Sequence, residues 1–176
     1  MNTEVLEALK SRRSIRKFKA EQVSKEELKA VLEAGIYAPT GAGKQEPIIV
    51  AVQDAETVAK LDAMNGAILN MEKMPHPYYG APTILLVLAP RDGITPVQDA
   101  SLVAGNLLNA AHAVGLGACW IHRSAEMFDS DEGKELLKQW GLSENLMGVA
   151  SIALGYPDMP QPKAAPRKED YIVMVD

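Results

Sequence analysis

The chain is short of cysteine, of basic charge and of long apolar runs, and each shortage narrows what the protein can be. Cys119 is the single cysteine in 176 residues, so no disulfide can form within the chain, which fits a reducing compartment. Eighteen Lys and Arg against 23 Asp and Glu give a net charge of −5 and a pI of about 5.3, which argues against a nucleic-acid binder. No apolar run approaches the roughly 20 residues that span a bilayer, and no signal-peptide pattern is present. We therefore expect a soluble cytoplasmic protein that binds neither nucleic acid nor membrane.

Several catalytic motifs are also missing. Residues 41–44 (GAGK) fail as a nucleotide-triphosphate P-loop, because the first glycine of that motif would fall on Ala38 and Gln45 follows the lysine. Residues 115–117 (GLG) begin like a dinucleotide fingerprint, but the third glycine of the fingerprint would be Trp120, and these glycines end a helix instead of opening one. No G-x-S-x-G motif supports a serine hydrolase.

The histidines and the cysteine show no metal-ligand spacing, so we expect no metal. His112 lies in an apolar helical pattern, where a satisfied buried histidine or a subunit contact is the simpler interpretation. Cys119 is better explained as a small core residue than as a nucleophile. His122 and Arg123 follow a predicted strand, where binding residues often gather, which leaves a functional role open.

Helical and strand patterns alternate without a repeat or a linker, which predicts one domain over residues 1–176 of α/β or α+β class, with a sheet flanked by helices. Residues 83–89 are almost wholly apolar, as in a central strand buried on both faces. Residues 97–114 form a helix that is apolar nearly all round and therefore belongs in the core or at a subunit contact. The other predicted helices begin at Asn2 or Thr3, at Ser24 and at Asp54, and one more lies around residues 134–140. Ser24 and Glu27 match a capping box. The other predicted strands are residues 48–52, 118–122 and 149–154, and a last extended segment is residues 171–175.

Residues 12–16, Arg12-Arg13-Ser14-Ile15-Arg16, concentrate three guanidinium groups in an acidic chain; we call them the arginine segment. In an extended segment, Arg12, Ser14 and Arg16 share one face and the other two side chains point the opposite way. Arginine forks bind phosphate bidentately, and the Ser14 hydroxyl adds a donor. A solvated basic patch at a helix C-terminus would look the same, so both interpretations remain open from these residues alone.

An ordered set of motifs resembles the nitroreductase family of flavoproteins. The set comprises the arginine segment, residues 38–45 (APTGAGKQ), residues 115–121 (GLGACWI) after an apolar helix, and residues 154–157 (LGYP) with a late Arg167. The resemblance covers nearly the whole chain. It implies an α+β sandwich with a central, mostly antiparallel sheet, an intertwined homodimer, tightly bound FMN at the dimer interface, and NADH or NADPH as co-substrate.

The resemblance also implies roles for individual residues. The phosphate of FMN would be held by the arginine segment (Arg12, Arg13, Ser14 and Arg16) together with Arg167. Gln45 would contact the flavin or its ribityl chain, and Trp120, Ile121 and His122 would supply backbone groups near the isoalloxazine ring. The chain departs from the family at Gly43, where asparagine is usual, so Lys44 is a candidate for the missing hydrogen bond.

The implied mechanism is ping-pong: NADH or NADPH passes a hydride to flavin N5 and leaves, and a nitroaromatic, quinone or similar acceptor takes its place. Such a mechanism needs no Rossmann site and no catalytic side chain. Two alternatives are a family offshoot with other flavin chemistry, such as reductive dehalogenation or flavin fragmentation, and a non-catalytic flavin-binding protein. Residues 74–82 and 122–128 are candidates for shaping the acceptor pocket, with Tyr78 or Tyr79 either stacking on a substrate or packing in the core.

Overall fold

A computed structural model describes residues 3–68 and 76–175. Its centre is an antiparallel four-stranded sheet of order β1-β2-β4-β3, built from β1 (Ile48–Val52), β2 (Thr83–Pro90), β3 (Gly117–Ile121) and β4 (Leu146–Gly155). Since β2 and β3 both pair antiparallel with β4, they run in the same direction. The sheet confirms the predicted α+β class with antiparallel pairing.

Six α-helices in the described residues flank the sheet: α1 (Thr3–Ser11), α2 (Lys25–Ile36), α3 (Ala55–Ile68), α4 (Pro96–Ala113), α5 (Ser124–Asp129) and α6 (Asp131–Gln139). Strand β2 is buried on both faces, as its apolar run predicts, and its side chains alternate between two cores. Leu86 and Leu88 pack with α3, α5 and α6, whereas Leu85 and Val87 pack with α2 and α4. The sheet is therefore covered by helices on both faces, as in a sandwich.

Hydrogen bonds confirm the predicted starts of two helices, α2 and α3. Ser24 Oγ accepts from the Glu27 N–H at 3.2 Å and also contacts the Glu27 carboxylate, which completes the capping box. Hydrogen bonds from Ser24 and Tyr156 lower the pKa of Glu27. Asp54 accepts from the Thr57 N–H at 2.8 Å at the start of α3. These local contacts fix where α2 and α3 begin.

Some boundaries differ from the sequence-based expectations. β4 begins at Leu146, earlier than the predicted residue 149, and the short helix α5 was not predicted. Residues 169–171 form a 3₁₀ turn, although the Ile172 backbone that follows is extended. Asn2, Met74 and Pro75, which the sequence analysis also used, lie outside the described residues. Within the described ranges, no helix combines the length and the apolar character that crossing a membrane requires.

Candidate functional site

The arginine segment leaves the end of α1 and runs beside the start of β3. Ser14 forms a parallel bridge with Ala118, and the Ile15 N–H donates to the Ala118 carbonyl at 3.1 Å. Ile15 is buried, and a Cβ on Gly117 would lie 2.9 Å from the Ile15 Cβ, so Gly117 gives the segment room to approach the strand. The adjacent Arg16 is exposed, which matches the alternation expected of an extended segment.

Arg13 lies apart from the exposed side of the segment. Its Nη1 donates to the Lys10 carbonyl at 2.8 Å, at the C-terminal end of α1. The guanidinium lines a cavity of about 230 Å³ together with His112, Met159 and Gln161. Arg13 Nε is buried and has no hydrogen-bond partner in the described part of the chain. The cavity wall fits a ligand with oxygen acceptors, such as a phosphate, because an arginine side chain carries several other N–H donors.

The segment that follows β4 returns the chain to the arginine segment. The Asp158 N–H donates to the Lys17 carbonyl at 3.0 Å, and the Asp158 carboxylate lies 2.7 Å from Lys17 Nζ. Hydrogen bonding and charge attraction from Lys17 lower the pKa of Asp158. Gln161 then donates to the Ser11 carbonyl. Arg167, predicted to join the phosphate site, lies beyond Gln161 on an exposed tail.

Residues 40–45, which we call the glycine loop, are held at the other end of the molecule by the start of α4. Both Asp99 oxygens accept from the Gly41 N–H, at 3.1 and 3.0 Å, and Thr95 Oγ1 donates to Asp99 Oδ1 at 2.9 Å. A Cβ on Gly41 would lie 2.2 Å from Thr95 Oγ1, so only glycine permits this approach. Asp99 was not identified from the sequence, because an acidic residue in the first turn of a helix is ordinary.

Left-handed backbone shapes the rest of the glycine loop. Ala42, Gly43 and Gln45 have φ of 52°, 67° and 53°, and the Gln45 N–H donates to Thr40 Oγ1 at 3.0 Å. Gln45 lines a second cavity of about 230 Å³ that Thr40 and Val103 also line. Left-handed non-glycine residues cost energy and are concentrated at functional sites. The loop is thus held in one strained conformation beside a cavity.

Lys44, the candidate to replace the family asparagine, has a carboxylate neighbour. Its Nζ lies 3.7 Å from Glu46 Oε1, and both side chains are partly exposed. Such an exposed pair is weak, so the ammonium remains able to turn to another acceptor.

The predicted ring-edge residues form the end of β3. Ile121 is buried, Trp120 is half-buried and His122 is exposed. Asn65, fully buried on α3, donates to the His122 carbonyl at 2.8 Å and accepts from Arg123 Nε and Nη2 at 3.1 and 2.9 Å. Arg123 is left-handed, with φ of 75°. Asn65 fixes the turn after β3, and its position in the apolar pattern of α3 gave no sign of this role.

The remaining histidines and Tyr78 have structural partners. His112 Nε2 lies 2.8 Å from Ser11 Oγ, and His76 Nδ1 lies 2.9 Å from Asp62 Oδ2. Tyr78 is 1% exposed, with its hydroxyl 3.6 Å from the sulfur of Met127, as the core-packing interpretation predicts. Among the described residues, no group of His, Cys, Asp or Glu is arranged to hold a metal ion. A cavity of about 570 Å³ beside Tyr78 is lined by none of the predicted cofactor residues.

Two groups of predicted site residues lie at opposite ends of α4. The arginine segment is tied to the C-terminal end through the contact of Ser11 with His112, and the glycine loop is tied to the N-terminal end through Asp99. From Asp99 to His112 the helix rises about 20 Å at 1.5 Å per residue. The ribityl phosphate of FMN is shorter than this distance.

Comparison with known proteins places these features in context. The model of the Nitroreductase family matches residues 9–156. A protein of Methanothermobacter thermautotrophicus with the provisional name NADH dehydrogenase/NAD(P)H nitroreductase is 31% identical, over 88% of this chain and 78% of that protein. The NADPH-flavin oxidoreductase of Vibrio harveyi is 30% identical, over 96% of this chain and 72% of that protein. A crystal structure of a nitroreductase with bound FMN from Bacteroides fragilis superposes with a TM-score of 0.88 at 29% identity, covering 98% of this chain and 99% of that one.

Proposed function

The chain belongs to the nitroreductase family, and we propose that it is an FMN-dependent oxidoreductase that passes a hydride from NADH or NADPH to a nitroaromatic, quinone or similar acceptor. The observation that carries the proposal is the arginine segment, where Arg13 lines a cavity in a chain of net charge −5. The FMN named for the Bacteroides fragilis nitroreductase and the flavin named for the Vibrio harveyi oxidoreductase support the same cofactor.

The residues of the arginine segment are suited to the phosphate end of FMN. Arg12, Ser14 and Arg16 offer charged and hydroxyl donors, whereas Arg13 lines the cavity on the other side of the segment. Arg167 lies on an exposed tail that starts beside this segment and is proposed to add a further guanidinium. Charge-assisted hydrogen bonds of this kind are about twice as strong as neutral ones.

The ring end of FMN is assigned to two other parts of the chain. Gln45 and Lys44 would reach the ring or ribityl chain from the glycine loop, and Trp120, Ile121 and His122 would offer backbone groups at the ring edge. Donors near the N1–O2 edge favour negative charge there and so tune the cofactor. Bound FMN supplies the hydride chemistry at N5. The chain therefore has to bind and orient the cofactor and shield it from water, and no side chain need act as acid or base.

The separation of the two groups along α4 supports the proposal of a homodimer. A second copy can bring its glycine loop to the arginine segment of the first, which a single copy does not do. The apolar side chains left on α4 support this arrangement, since Val97 and Leu102 are 47% and 49% exposed. Residues 171–175 add a run of exposed apolar side chains at the C-terminal end.

The phosphate assignment is tested by comparing FMN with riboflavin, which has the same ring but no phosphate. Arg12→Ala should weaken FMN binding about tenfold or more, the cost of losing a charge-assisted hydrogen bond, and should leave riboflavin binding unchanged. Arg91→Ala is the matched control, because Arg91 is also a partly exposed arginine but pairs with Asp129. Equal losses for both flavins, or none, would show that Arg12 does not bind the phosphate.

A further inference from the structure

The carboxylate of Asp99 is buried without a cation. Asp99 is 5% exposed, and none of the ion pairs within residues 3–68 and 76–175 involves it. Its hydrogen bonds come instead from the Gly41 N–H and the Thr95 hydroxyl. A buried carboxylate is retained only when such bonds compensate its desolvation, so these contacts are strongly specified.

The contacts of Asp99 extend directly to Gln45. Asp99 fixes Gly41, and the next contact holds the Gln45 N–H on Thr40 Oγ1 at 3.0 Å. Between these two anchors the backbone is left-handed at Ala42 and Gly43. With both ends held, the side chain of Gln45 is kept at the wall of the cavity that Val103 also lines.

We propose that Asp99 is a positioning residue that sets the orientation of the glycine loop, and with it of Gln45, against the ring of the flavin. This inference rests on the proposed function, since it presumes that FMN binds. Asp99 acts through Gly41 and Thr40 and does not touch the cofactor. Asp99 should therefore affect the binding of the flavin ring, and this effect should not depend on the phosphate.

The first test separates the ring from the phosphate. Asp99→Ala leaves the Gly41 N–H without its acceptor, and we expect FMN and riboflavin to bind about tenfold more weakly, by the same factor for both ligands. Asp99→Asn keeps one oxygen for Gly41 and should stay within about threefold of the unchanged protein. A loss confined to FMN, or no loss, would overturn the proposal.

The second test separates positioning from loss of stability. At saturating FMN, Asp99→Ala should change the visible circular dichroism of the bound flavin, whereas Asp99→Asn should restore it. Asp54→Ala is the control, because Asp54 also accepts from a backbone N–H and a threonine hydroxyl but at the start of α3. It should lower the melting temperature and leave the flavin spectrum unchanged. An unchanged spectrum in Asp99→Ala, or the same change in both alanine variants, would overturn the proposal. Failure of the unchanged protein to take up FMN would instead refute the proposed function.

Discussion

At Gly43 the conformation of one residue explains why the chain can depart from its family. The φ of +67° suits glycine and asparagine, and an added Cβ would meet nothing within 4 Å. We expect Gly43→Asn to keep its stability and to bind FMN roughly three- to tenfold more tightly, the gain of one hydrogen bond. Fluorescence titration of the apoprotein measures this gain. Gly43→Val is the control, since it adds bulk at a positive φ but no donor. Equal affinity of Gly43→Asn and the unchanged protein would mean that this position does not face the flavin.

Tyr78 gives a prediction for alkaline pH. Burial raises the pKa of Tyr78 from 10.0 to about 12, so the folded protein keeps the proton that the unfolded chain releases above pH 10. The resulting stability is complete below pH 10 and is lost as pH rises from 10 toward 12, by about 1.4 kcal/mol per pH unit. Urea unfolding of Tyr78→Phe across this window should show a smaller loss. An identical pH dependence in both proteins would contradict the buried, protonated phenol.

At the scale of elements, the sequence predicts best where one pattern decides the outcome. The continuous apolar run of β2 predicts a strand that is buried between two cores, and the structure has such a strand there. The Ser24–Glu27 pair predicts the start of α2, where Ser24 accepts a hydrogen bond from the Glu27 N–H. Helix α5 has six residues and follows a left-handed Arg123, so neither its length nor its start gives a periodic signal. The sequence also does not predict the roles of Asp99 and Asn65, which hold the glycine loop and the turn after β3. Their hydrogen bonds join segments that are distant in the sequence, and such bonds leave no local pattern.

The sequence pattern of helix α4 and the exposure of its side chains together suggest a test of the dimer. Its pattern predicts a core helix or a subunit contact, and the structure buries one face while leaving Leu102 49% exposed. Leu102→Glu should keep the fold of the single chain, since both residues are good helix formers, but halve the mass in solution. Ala59→Glu adds the same charge to an exposed position of α3, across the sheet, and should remain dimeric. Light scattering distinguishes the two, and a dimeric Leu102→Glu protein would exclude this face as the interface.

At the scale of the whole molecule, we propose that two copies assemble the site from opposite ends of α4. Mixing Arg12→Ala with Asp99→Ala protein tests this arrangement, because a mixed dimer has one site with both defects and one with neither. After random exchange of subunits, tight FMN binding should return at about one quarter of the wild-type number of sites. If each site were built within one copy, every site would keep one defect and mixing would restore nothing.

The proposed function requires that this chain carries FMN and uses it for hydride transfer. The most direct measurement is anaerobic: the purified protein, saturated with FMN, is titrated with NADH or NADPH while its visible flavin absorption is followed, and a nitroaromatic or quinone is then added. We expect the nicotinamide to bleach the flavin and the acceptor to restore the colour with matching stoichiometry. A protein that takes up no FMN, or whose bound FMN neither nicotinamide can bleach, would contradict the proposed function.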